Sequence, residues 1–208
     1  MKLHGGIMPT NTKQFLGSED PEMKTCTTYA RAYLKECIQK DIDPDHLELA
    51  RKILVKWPKK HRPLDADEAE GIAIDAIEGW GMYGLFQQYE IEHIMEFFDE
   101  IKDTQETPDD VMEIGYRLNL VFIGATIVEE NPEDIVDKVL QFIREYYSTV
   151  NPEIQCAIAF MAFGCSKYRA RNYLPRLFFL SNLQELEEIY RGMEALLQID
   201  RGSLATYH

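Results

Sequence analysis

The stretch Asn131–Gly164, NPEDIVDKVLQFIREYYSTVNPEIQCAIAFMAFG, decides the fold class. It reads as two helices in succession, each opened by an Asn-Pro pair. An asparagine oxygen accepts the orphan N–H groups of a first turn, and proline at the next position loses no hydrogen bond. The second helix carries Ile154, Ala157, Ile158, Phe160, Met161, Ala162 and Phe163, so nearly every face is apolar. A helix without a polar side has to be surrounded by protein. The rest of the chain is therefore read as cover for this pair, with Asn131–Gly164 as its structural centre.

Working outward, the same punctuation recurs. A first helix from Asp20-Pro21 to about Lys40 shows an apolar stripe through Cys26, Tyr29, Ala30, Tyr33, Leu34 and Cys37. Asp43-Pro44 opens a second, with Asp43 as its cap, and Trp57-Pro58 ends it because proline cannot continue the hydrogen-bond ladder. Asp65 with Glu68 three residues on is a capping box for a third helix through Ala69, Ala73, Ala76 and Trp80. The glycines of GWGMYG, residues 79–84, are expected to break that helix. A fourth holds Ile91, Ile94, Phe98 and Ile101, and Thr107-Pro108 starts a fifth with Ile114, Leu118, Val121 and Phe122. The run LVFIGATIV has strand propensity but lies inside a longer helical period, so it is read as helix. Beyond Lys167, Pro175 begins or kinks a short helix, and a last helix spans about Asn182–Ile199. No strand signal survives.

A shift of 44 residues superimposes these helices. Leu54 falls on Phe98 and Phe142, Leu47 on Ile91 and Ile135, and Gly71 on Gly115 and Ala159. A small residue recurring mid-helix points to close approach of a neighbouring helix. Helix, short connection, X-Pro and helix at this period is the unit of a helical solenoid. DKVLQFIREYY resembles the first helix of a HEAT repeat and NPEIQCAIAFMAFG the second. The resemblance covers roughly residues 44–168 and implies an all-α, right-handed solenoid that serves as a scaffold more than as a catalyst. The units would be 44–84, 88–126 and 132–168, capped by 20–41 and 173–200, after a mobile leader at 1–19. A closed multi-helix bundle is the alternative.

Composition bounds the function. Lys and Arg number 22 against 36 Asp and Glu in 208 residues, a formal charge of −14, which opposes general nucleic-acid binding and favours basic partners. No window is apolar enough to span a membrane, and the leader lacks the core of a signal peptide. Cys26, Cys37, Cys156 and Cys165 show no CxxC spacing and read as buried thiols of a reducing compartment, so a cytoplasmic location is expected.

The motifs for chemistry are thin. Gly79, Gly81 and Gly84 match GxGxxG, but no strand precedes them, so a dinucleotide site is rejected in favour of an inter-helix turn. Glu90 and His93 stand one helical turn apart, as in di-iron bundles, yet the further inward carboxylates such a site needs are not evident. Asp41, Asp43 and Asp45 begin like a calcium loop, which fails at His46 and Lys52. No serine or cysteine elbow marks a nucleophile. Two basic islands, Lys59, Lys60 and Arg62 near Trp57, and Lys167, Arg169 and Arg171 near Tyr168, form a secondary patch. The better-supported surface is acidic: Glu68, Asp75 and Glu78 on the third helix and Asp109 and Glu113 on the fifth.

The expectation is a non-catalytic interaction module, an adaptor or an inhibitor of the immunity-protein kind, that binds a basic protein or peptide on that face. No cofactor is expected. A metal-dependent enzyme built on Glu90 and His93 is the alternative, and self-association through Phe178, Phe179 and Leu180 is compatible with the first reading.

Overall fold

In a computed structural model, the structure describes residues 21–101, 108–148, 152–164, 172–174, 176–177 and 191. Within them the order is α1 (Pro21–Lys40), α2 (His46–Lys56), α3 (Ala66–Gln88), α4 (Ile91–Ile101), α5 (Pro108–Ile127), α6 (Glu133–Tyr146) and α7 (Pro152–Ala162). The chain is all-helical, and no strand occurs among the described residues. No helix there is long and apolar enough to cross a membrane.

Most helix ends form where local chemistry dictates. Asp65 and Glu68 make the full capping box of α3. Asn131 accepts from the Glu133 amide at the start of α6. The cap of α2 is Asp45, which accepts from the Glu48 amide at 2.7 Å, and not Asp43. Starting the helix two residues later frees the Asp45 amide to donate to the Tyr33 hydroxyl at 2.9 Å, which ties the turn to α1. Among the described residues, three helices end on a residue with positive φ: Asp41 after α1, Glu129 after α5 and Gly164 after α7. After α1 and α5 the next amide reaches back to Cys37 and Ala125 respectively, so both ends are Schellman turns.

The GWGMYG segment does not break a helix. It lies inside α3, which runs unbroken for 23 residues. The reason is tertiary. Gly79 meets α5 where α5 carries Gly124, and a Cβ on Gly79 would stand 2.9 Å from the Leu120 carbonyl oxygen. A Cβ on Gly124 would stand 2.5 Å from Tyr83 Cβ. The two glycines let the backbones touch, and that packing outweighs the roughly 1 kcal/mol of helix propensity each one forfeits. Gly115 plays the same part between α5 and α7, where its Cβ would stand 2.7 Å from Met161 Cβ.

Among the described residues α5 is packed on several sides. Its dominant partners are α3 and α7, and it also touches α1 and α6. Leu120, Val121, Phe122, Ile123, Gly124 and Ala125 are consecutively buried, which no one-sided helix allows. In α7, by contrast, Ile154, Gln155, Ala157 and Met161 stay partly exposed. Among the described residues α5 is therefore covered on more sides than α7, while the C-terminal helix expected to cover α7 lies outside them. Contacts along α3–α5 and α5–α7 advance together in sequence, so the three helices lie side by side in the same direction: Asp75 meets Tyr116, Gly79 meets Leu120, Gly115 meets Met161, and Asn119 meets Ala162. Phe98 and Phe142, superimposed by the 44-residue shift, are packed with ring centroids 4.6 Å apart and join α4 to α6. Phe86 brings α3 into the same aromatic cluster.

Candidate functional site: the α3–α5 face and the end of α3

Tyr116 of α5 donates its hydroxyl proton to Asp75 Oδ1 of α3 at 2.5 Å. Both side chains are half-buried. Burial pushes the Asp75 carboxyl up from 3.8 to about 6; the Tyr116 hydrogen bond opposes that rise and the Glu78 charge adds to it. The Tyr116 phenol is raised as well, by its own burial first and then by the charges of Asp75, Glu78 and Glu113. Those influences place Asp75, Glu78 and Glu113 around one tyrosine at the α3–α5 seam. Glu78 and Glu113 are exposed. Glu113 pairs with Arg117 one turn on at 2.7 Å, whereas Glu78 has no ion-pair partner among the described residues.

Of the acidic residues singled out from sequence, these three come together. Glu68 is engaged elsewhere: it closes the capping box and holds Arg62 at 2.8 Å. Asp109 lies in the first turn of α5, and its side chain is outside the described set. Tyr116 was missed, because a tyrosine on a helix reads as core or surface until its neighbour is known. Its spacing from Asp75 is 41 residues, near the 44-residue shift read from sequence. Asn119 donates to the Ala162 carbonyl oxygen at 2.9 Å and so ties α5 to α7.

The basic island of the α2–α3 connection is partly consumed by structure. Arg62 bonds Glu22 and Glu68, Trp57 Nε1 donates to the Arg62 carbonyl oxygen at 2.7 Å, and His61 packs on Trp57. Lys59 and Lys60 are exposed. Lys167, Arg169 and Arg171 fall outside the described residues, as do Cys165 and Phe178, Phe179 and Leu180. Cys26, Cys37 and Cys156 are buried. Glu90 and His93 are exposed, with His93 near the Tyr89 ring, and no group of three or more potential metal ligands gathers among the described residues.

A second feature opens beside the C-terminal half of α3. Residues 78 and 80 lie about 100° to either side of Gly79, which faces α5, so Trp80 sits on the opposite flank from Glu78. On the Trp80 flank is an open cavity of about 470 Å³ whose walls include Trp80, Tyr83, Tyr89 and Glu130. Comparison with known protein families, characterised proteins and solved structures finds no match for the chain.

Proposed function

We propose that the chain is a non-catalytic interaction module, an adaptor or an inhibitor of the immunity-protein kind, which docks a basic protein on the α3–α5 face. The observation that carries this reading is the grouping of Asp75, Glu78 and Glu113 around Tyr116, with Arg117 as the cation paired there. Asp75 is the telling member. Near neutral pH it is mostly ionised in a place that disfavours its charge, a cost the fold itself does not need. A lysine or arginine brought by a partner would remove that cost, and the surrounding charge would speed the encounter.

The architecture we infer is the stacked one, a right-handed solenoid of helix pairs of the HEAT kind. Cross-helix bonds at sequence separations of 41 and 43 support it, being near the period read from sequence. In that arrangement α3 and α5 present equivalent surfaces, so the acidic positions of successive units form one strip.

The test uses a decalysine peptide and its association rate, followed by stopped flow at several salt concentrations. Glu78→Lys with Glu113→Lys is compared with Glu92→Lys with Glu96→Lys, an equal charge change on the exposed side of α4. The reading predicts that the first pair slows association at least about tenfold more than the second. Equal slowing by the two pairs would reduce the effect to net charge and remove the face.

A further inference from the structure

We propose that the cavity on the Trp80 flank of α3 receives an arginine side chain of a partner protein. The proposal shares with the preceding reading only the basic character of the partner, and it rests on different residues.

The cavity's chemistry defines the occupant. Trp80 and the exposed Tyr89 supply aromatic surface on its walls, with Tyr83 buried behind them in the core. Glu130 lies on the wall and has no ion-pair partner among the described residues. The charges of Glu130 and Asp134 both act on the Tyr83 hydroxyl, which burial raises first. The cations of this region do not line the cavity. Lys138 donates to the Tyr89 carbonyl oxygen at 2.5 Å, and Arg31 pairs with Glu129 at 2.8 Å while donating to the Thr126 and Ile127 carbonyls. Aromatic faces with an uncompensated carboxylate attract a cation and offer nothing comparable to an anion. Among cations, a flat guanidinium both stacks on rings and forks onto a carboxylate, which a compact ammonium cannot do. The volume accepts a whole arginine side chain with room for the chain that bears it.

Position adds a reason for the wall to hold its shape. Glu129 takes φ 68, a left-handed conformation that an L side chain adopts at a cost, and this turn sets Glu130 at the cavity. The Arg31 bonds clamp that turn from α1. The floor includes Gly81 and Gly84, where an added Cβ would meet nothing within 4 Å. That open space at the Cβ positions makes a test available, because a side chain can be introduced there without an initial clash.

The experiment follows the two indole N–H resonances by NMR while acetyl-Gly-Arg-Gly-amide is added, with the citrulline peptide as a neutral control of the same shape. The Trp80 signal is expected to shift and saturate in the millimolar range while Trp57, on the α2–α3 connection, stays fixed. The citrulline peptide should bind at least tenfold more weakly. Gly84→Leu should abolish the shift without lowering the melting temperature, and Glu130→Gln should weaken binding about fivefold or more. Equal response to citrulline, equal response of Trp57, or undiminished binding by both variants would overturn the proposal. Glu78→Lys with Glu113→Lys should leave this titration unchanged, so a failure of the α3–α5 face and a failure of the cavity are told apart.

Discussion

The two flanks of α3 are built from the same residue types to opposite ends. Facing α5, Gly79 is spent on contact: an added Cβ there would press on Leu120, Ile123 and Gly124. Turned away, Gly81 and Gly84 meet nothing. A helix-interior glycine costs about 1 kcal/mol relative to alanine, mostly in backbone entropy. On the inner flank that cost returns as close packing of two backbones. On the outer flank nothing among the described residues returns it. Glycine in a helix therefore has no single meaning, and the neighbour decides which meaning applies.

The largest expected effect lies on the inner flank. Gly124→Ala should lower stability by at least about 3 kcal/mol, since the new methyl meets Tyr83 Cβ and the Gly79 backbone and neither can move without separating α3 from α5. Urea denaturation measures it, and a loss below about 1 kcal/mol would mean that the two helices stand further apart than described.

Next in size is Asp75→Asn, at the edge of the same seam. The folded carboxyl titrates near 6 and the unfolded one near 3.8, so the folded state holds more protons between those values. Stability from this group is present below about pH 4 and is lost as pH rises through about 6. The shift corresponds to roughly 3 kcal/mol if taken whole, and to about 1–2 kcal/mol once partial exposure is allowed for. Asp75→Asn should therefore stabilise the protein by about 1–2 kcal/mol at pH 7 and flatten the slope between pH 4 and 6. Denaturation at a series of pH values reads both. A destabilised variant would show that the ionised carboxylate supports the fold, contrary to the role we propose for it as a group held for a partner.

Smallest is Gly81→Ala on the outer flank, expected to raise stability by about 0.5–1 kcal/mol. A clear loss would place another part of the molecule against that surface.

This contrast also marks what could be read from sequence. Signals that act within one helical turn were legible: the Asp65–Glu68 box, the stop at Trp57-Pro58 and the start at Pro108 all stand where chain chemistry put them. The all-helical class followed from periodicity. What failed needed knowledge of a neighbour. GWGMYG looked like a turn because glycine's propensity is local, whereas Gly124 forty-odd residues on keeps it helical. The burial of α5 was not evident because Tyr116, Arg117 and Asn119 give it a polar side in sequence. Tyr116 and Asn119 turn those polar atoms onto α3 and α7. Of the acidic residues, Asp75, Glu78 and Glu113 were visible as a helical face, but the Tyr116 bond that gathers them was not. The cavity left no linear signature, since its walls come from the end of α3 and from the turn after α5.

The most direct test sets Gly79→Ala beside Gly84→Ala and measures the urea midpoint of each. The substitution, the helix and the gain in propensity are the same; only the neighbour differs. The midpoint should fall for Gly79→Ala, where α5 is in the way, and rise for Gly84→Ala, where nothing is. If both rise, α3 and α5 do not approach through their glycines, and if both fall, the outer flank of α3 is covered and is not a surface for a partner.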